Sequence, residues 1–189
     1  RLDPHSGACT TLYTACNGHR LSAPNDLVFD AQAGFYFTDL GKRYARHRDH
    51  GGVYYALPDG SKIVELVFPM LSPNGCGLSP DGQTLYVAHI PAQKTYAYEI
   101  QDDGRLTGKR LFCALGSDGM TIDSEGHVYL TSGRQVHVFD RDGRELEAID
   151  VPEAPSNVCF GGTDKRTLFI TARTSLYAVR TRVHGVDPQ

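Results

Sequence analysis

Four short stretches of the chain place an amide or carboxylate side chain at the start of a strand-like run. They are Asn25 in Pro24-Asn25-Asp26, Asn74 in Pro73-Asn74-Gly75, Asp118 in Ser117-Asp118-Gly119 and Asn157 in Ser156-Asn157-Val158. Each run turns at a Gly or Asp (Gly34, Asp81-Gly82, Glu125-Gly126, and around Asp164) and a second run returns, ending at Asp39, His89, Ser132 and Ala172. Carboxylate and amide oxygens converging on one axis would suit a hard cation, calcium first, with magnesium or manganese able to use them too. The set holds few His and no Cys, which disfavours a structural zinc site. A divalent ion there could polarise a carbonyl and activate water, and an Asp beside it could act as general base. That chemistry suits hydrolysis of an ester or a lactone. Asn, Asp and Gly are also ordinary turn formers before a strand. Every repeat needs the same turn, so residue type alone leaves both readings open.

The elements that must position these residues repeat along the chain. Asn25, Asn74, Asp118 and Asn157 are 49, 44 and 39 residues apart, and periods of about 40 to 50 with several strands each indicate propeller blades. A second hairpin follows in each unit, its clearest strands being 52–57, 95–100, 136–140 and 175–179. Asp59-Gly60, Asp103-Gly104 and Asp142-Gly143 close three of these hairpins, giving about four antiparallel strands per blade. No stretch keeps a convincing helical period, and 60–68 reads as strand. The expectation is an all-β chain, a single partial β-propeller domain over 1–189 with about four blades. In such a fold the innermost strand of each blade lines the channel. Asn25, Asn74, Asp118, Asn157, Asp39, His89 and Ser132 are therefore expected at one channel mouth. The chain begins at Arg1, and Cys9 to Tyr13 reads as a strand with no partner before it, so N-terminal blades are expected to be missing.

Composition narrows the partners. The net charge is -3 with no basic block, so nucleic acid is not expected. No apolar run approaches the roughly 18 residues of a membrane span, and no leader is visible; the expected location is the cytoplasm, with the periplasm as the alternative. Five cysteines lack any C-x-x-C pair, and Cys76, Cys113 and Cys159 read as small buried hydrophobes. The charged stretch His47-Arg48-Asp49-His50 reads as a solvated loop or a lid over the channel. There is no G-x-S-x-G elbow to support a serine hydrolase.

Pro24-Asn25-Asp26, Pro73-Asn74-Gly75 and Ser117-Asp118-Gly119-Met120-x-Ile122-Asp123, in this order and spacing, resemble the gluconolactonase family. That family includes regucalcin (senescence marker protein), luciferin-regenerating enzyme and the drug-response lactonases. Gly34 to Asp39, Gly51 to Tyr55 and Gly161 to Thr171 resemble the drug-response lactonases and bacterial gluconolactonases in particular. The resemblance covers nearly the whole chain. It implies a six-bladed propeller with one divalent cation in its channel, calcium ahead of magnesium, manganese or zinc. It implies that Asn74 and Asp118 are metal ligands and that Asp118 is also the catalytic base. Asn25 would contact substrate, Asp39 matches an acidic position of some lactonases, and His89 could bind substrate from the channel mouth. The small-molecule substrate would be a sugar lactone or similar cyclic ester. Two departures stand out. The family's further metal-ligand Glu has no match before Asn25, and Ala23 stands where regucalcin has an Arg. A non-catalytic calcium- or protein-binding propeller, and a related phosphotriester or ester hydrolase, are the alternatives.

Overall fold

The computed structural model describes residues 1–186, so the last three residues of the expected 1–189 unit lie outside the described residues. A small hairpin of β1 (Ala15–Cys16) and β2 (His19–Arg20) comes first. Four antiparallel sheets follow in chain order. The first contains β3 (Pro24–Phe29), β4 (Phe35–Asp39), β5 (Gly51–Ala56) and β6 (Ile63–Met70). The second contains β7 (Pro73–Leu78), β8 (Thr84–His89), β9 (Lys94–Ile100) and β10 (Leu106–Cys113). The third contains β11 (Met120–Ile122), β12 (Val128–Ser132), β13 (Gln135–Phe139) and β14 (Glu145–Asp150). The fourth is three-stranded: β15 (Pro155–Gly161), β16 (Thr167–Ala172) and β17 (Leu176–Arg180). Within each sheet the strands lie in sequence order, and no helix occurs among the described residues. This is the four-blade propeller arrangement expected from the repeat.

The blades form because their middle strands are apolar on both faces. Leu85-Tyr86-Val87-Ala88 in β8 and Val128-Tyr129-Leu130 in β12 are buried throughout. One face of β8, through Leu85 and Val87, joins Tyr36, Val53 and Met70 of the first blade. The other, through Tyr86 and Ala88, joins Met120 and Leu130 of the third. Tyr129, Val136 and Val138 then pack on Val158, Leu168 and Ile170 of the fourth. Each such side chain contributes about 1.5–3 kcal/mol on full burial, so the seams between sheets carry the core. The outermost strands β10 and β14 are mostly exposed and carry charges such as Lys109, Arg110, Glu145 and Glu147. At the two ends of the arc, burial alternates along β3 and β17, leaving Leu27, Phe29 and Leu176 exposed.

The Asp-Gly and Glu-Gly turns sit at the blade ends opposite the anchors. Gly60, Gly82, Gly104, Gly126 and Gly143 all adopt φ between 70° and 84° there, a region that costs a side-chain-bearing residue strain. Two expectations are corrected. Cys9 to Tyr13 forms no strand; Cys9 makes only an isolated bridge with Leu2. Cys159 is exposed, because it points to the open face of the last sheet while its neighbour Val158 takes the buried one. Cys76 and Cys113 are buried.

Candidate active site

The innermost strands β3, β7, β11 and β15 pack successively against one another around the channel. Three of them carry a register shift at the anchor position. Pro24 pairs with Asp39 but Leu27 with Phe37; Pro73 pairs with His89 but Cys76 with Val87; Pro155 pairs with Ala172 but Asn157 with Thr171. Each shift is one extra residue, a bulge that re-aims a side chain out of the ladder. The pairings also fix which residues are equivalent. Asn25, Asn74, Asp118 and Ser156 share one level; Asp26, Gly75, Gly119 and Asn157 share the next. The fourth anchor is therefore Ser156, and Asn157 lies one step further down the channel than expected. Pro155, not Ser156, is the counterpart of Pro24 and Pro73.

Asn74 and Asp118 come together. The Asn74 Nδ2 group donates to Asp118 Oδ1 at 3.0 Å. Asn74 is buried and Asp118 is exposed at the mouth. The Asn74 backbone is held from below by Thr38, whose hydroxyl donates to the Asn74 carbonyl at 2.7 Å. The turn carrying Asp118 is held by Ser117 Oγ donating to the Gly119 carbonyl at 2.6 Å and by the Gly119 N–H donating to Thr131 Oγ1 at 3.0 Å. With its amide nitrogen on Asp118, Asn74 leaves Oδ1 buried and without a hydrogen-bond partner. An orphaned buried acceptor is costly unless a donor or a cation meets it. Among the described residues no three His, Cys, Asp or Glu side chains converge to hold a metal ion. An amide oxygen beside a carboxylate is nevertheless the hard-oxygen pair that calcium-type ions use, so Asn74 and Asp118 fit the cation that the family implies.

The other expected residues are distributed differently. Asn25 is exposed on the first blade and lines a cavity of about 360 Å³ with Thr10–Tyr13 and Phe37, while the Asn74 amide bonds to Asp118. Asp39 is turned away from the channel. Its carboxylate is buried and accepts from the backbone N–H groups of Ser22, Ala23 and Gly41 at 2.6, 2.7 and 3.0 Å. Both oxygens are engaged in folding the loops around β3. His89 follows Leu85 and Val87 on the face toward the first blade, 6.2 Å from the Tyr96 ring. Burial and the nearby Lys109 charge lower its pKa, and its Nδ1 is buried without a partner. Ser132 and Ala172 make no polar contact with the pair. In the loop, His47 stacks on Tyr44 and His50 meets the edge of Phe68, while Asp49 accepts from Ser22 Oγ.

Two residues were missed in the sequence. Ser72 is buried with its hydroxyl unpartnered and with φ at 49°, so Ser72 Oγ, Asn74 Oδ1 and His89 Nδ1 are three unpartnered polar atoms at one end of the second blade. Asp26 lies just below the anchors. Its Oδ2 accepts from Cys76 N–H at 3.0 Å, and its Oδ1 accepts from Asn157 Nδ2 at 3.4 Å across the channel. Burial raises its pKa, opposed by the Cys76 and Leu27 amides. Burial and Asp26 push the Cys76 thiol well above its ordinary value, so Cys76 is not an activated nucleophile. An acidic residue opening the apolar run Leu27-Val28-Phe29 was the available signal for Asp26. Below it opens a cavity of about 1220 Å³ bounded by Asp26, Met120 and Asn157 above and by the Asp81-Gly82 and Asp103-Gly104 turns. It touches neither Asn74 nor Asp118, so the site is placed by the polar pair and not by cavity size.

The geometry can be set beside known proteins. The sequence pattern of the SMP-30/Gluconolactonase/LRE-like region matches residues 1–174. A gluconolactonase of Zymomonas mobilis is 31% identical over 208 residues, covering 98% of this chain and 58% of that protein. The structure of a gluconolactonase from Xanthomonas campestris superposes with a TM-score of 0.84 at 33% identity, covering 95% of this chain and 64% of that one. The structure of a calcium-binding protein, regucalcin, from Agrobacterium tumefaciens superposes with a TM-score of 0.72 at 21% identity over 86% of this chain and 62% of that one, a likeness of fold. The chain thus spans somewhat over half the length of the curated relative that it matches along nearly all of its own residues. A match over residues 1–174, carried by blades whose channel strands bring Asn74 onto Asp118, places the chain in the SMP-30/gluconolactonase/LRE-like family.

Proposed function

We propose that this chain carries the catalytic channel of a lactonase that hydrolyses a sugar lactone or a similar cyclic ester with the help of a divalent cation. The observation that carries the reading is the Asn74–Asp118 pair, with its free buried Oδ1, at the channel mouth. Membership of a family with gluconolactonase relatives supports the substrate class, and the calcium-binding neighbour supports calcium as the first cation to test. Asn74 Oδ1 and Asp118 would hold that ion, which when bound would polarise the lactone carbonyl. Hydrolysis adds water to the carbonyl carbon and breaks the ring C–O bond. Asp118, exposed to the mouth, takes the proton from the attacking water and returns it to the departing ring oxygen. The Asn74 amide fixes the Asp118 carboxylate for that transfer. Asn25 would contact the substrate only from the rim.

The test uses the natural full-length protein with glucono-δ-lactone and calcium, manganese, magnesium or zinc. Chelator should abolish turnover, and D118A should lower it by about 10²–10⁴-fold, the usual range for a general base, with the fold unchanged by circular dichroism. No turnover with any of the four ions, or turnover that survives D118A, would overturn the proposal; the former outcome with calcium binding intact would favour a non-catalytic calcium-binding propeller.

A further inference from the structure

The pair at the mouth sits on two different blades, and the residues directly beneath it have no side chains. Gly75 and Gly119 occupy the level below Asn74 and Asp118, and the same level in the first and fourth blades holds Asp26 and Asn157. A side chain at either position would crowd its neighbour, and at Gly119 something would have to shift. A Cβ on Gly119 would lie 2.3 Å from Asn157 Oδ1, and one on Gly75 would lie 3.1 Å from Gly119 Cα. Two blades thus yield the axis, and the other two fill it with one hydrogen-bonded pair. The Asp26 carboxylate gathers donors from three blades: the Leu27 N–H of its own strand at 3.1 Å, the Cys76 N–H of the second at 3.0 Å and the Asn157 amide of the fourth at 3.4 Å. Cys76 is two residues beyond Asn74 on the same strand. Asn157, whose Oδ1 accepts the Val158 N–H at 2.7 Å, abuts Gly119 beside Asp118. Displacement of the second blade or of the fourth would therefore disturb the Asp26 contacts.

We infer that Asp26 and Asn157 form a cross-channel waist that positions Asn74 and Asp118, with Asp26 acting as a positioning residue that sets their spacing and separates the mouth from the lower cavity. The inference rests on the cation-dependent reading above. It predicts that the identity of each residue is dispensable while their complementarity is not. In D26N the amide offers one acceptor oxygen to three donors. In N157D two carboxylates face each other. In the double variant D26N/N157D the amide at position 26 offers its oxygen to the Cys76 N–H and its NH₂ to the carboxylate at 157, which still accepts the Val158 N–H. The bonds to Cys76, across to position 157 and to Val158 are restored, the cross-channel one with donor and acceptor exchanged, and only the Leu27 N–H loses its acceptor.

The experiment measures the affinity of the natural full-length protein for Tb³⁺, a hard-ion probe of oxygen sites, by titration calorimetry. Glucono-δ-lactone kcat and KM and the melting temperature are measured alongside. D26N and N157D should each weaken Tb³⁺ binding at least tenfold and lower kcat by about 10²-fold with KM little changed, as expected for a misplacement near 1 Å. D26N/N157D should return both quantities to within about threefold of the parent. If a single variant does not fold, N157A, which keeps the Asp26 bond to Cys76, carries the same expectation at smaller size. Parent-like Tb³⁺ affinity and kcat in D26N or N157A would overturn this inference alone, as would a double variant that is no better than the singles or melts as low. A parent that binds no Tb³⁺ would remove the cation reading and this inference with it.

Discussion

Replacing Gly119 by alanine adds one methyl group at the channel axis and should damage the site more than the fold. The added Cβ would lie 2.3 Å from Asn157 Oδ1, 2.4 Å from its Cγ and 2.7 Å from its Cα. Carbon atoms pack at about 3.5–4.0 Å, so the shortfall against the Cα is roughly 1 Å. The amide group could swing aside; the Cα moves only if β15 or the segment carrying Asp118 moves with it. Overpacking of this kind costs about 1–3 kcal/mol. Each kcal/mol lowers the melting temperature of a chain of this size by about 2–4 °C, so G119A should melt roughly 2–12 °C below the parent. Asp118 is the adjacent residue and sits 3.0 Å from its partner; a shift near 1 Å costs on the order of 10²-fold in rate. The control is G82A, where φ is 70° and nothing lies within 4 Å of the added Cβ. That change should cost about 1 kcal/mol of backbone strain and leave kcat/KM unaltered. Calorimetric melts and lactone turnover on both variants decide the matter. A G119A protein with parental kcat/KM, or equal activity losses in the two variants, would refute the reasoning.

Asp123 is fully buried and accepts from the Glu125 and His127 N–H groups, from His127 Nδ1 and from the Tyr129 hydroxyl at 2.8–3.0 Å. D123A strands several of these donors at about 1–3 kcal/mol each, so urea unfolding should show a loss of roughly 3 kcal/mol or more; a loss under about 1 kcal/mol would contradict the assignment. His89 has a pKa lowered from 6.5 by burial and by Lys109. The unfolded chain takes up the proton first, so this contribution to stability is complete above about pH 6.5 and is lost as pH falls through the depressed folded value. Unfolding free energies measured between pH 7.5 and 5 should fall less steeply in H89Q than in the parent, and an identical slope would remove His89 from the account.

Much of this protein is legible in its chain. The repeat of paired apolar runs with Asp-Gly turns requires antiparallel hairpins, since Gly60, Gly82 and Gly104 alone can take the turn conformation without strain. Runs such as Leu85 to Ala88, apolar at every position, signal a strand covered on both faces, and only stacked sheets cover both. Asn74 and Asp118 stand out because they precede such strands in neighbouring repeats. What the chain cannot display is the bulge. One extra residue opposite the partner strand changes which side chain enters the channel, and that count depends on how two distant runs pair. For this reason Asn157 looked like an anchor while Ser156 holds the anchor level, and Asp26 went unnoticed beside Asn25. Asp39 stood at the channel mouth by register, but the backbone amides of Ser22, Ala23 and Gly41 claim its carboxylate. Residue types and spacing determined the blades and the oxygen chemistry available to them. The tertiary structure alone decided which oxygens meet, because a buried polar group goes to whichever partner the packing of neighbouring blades brings within about 3 Å.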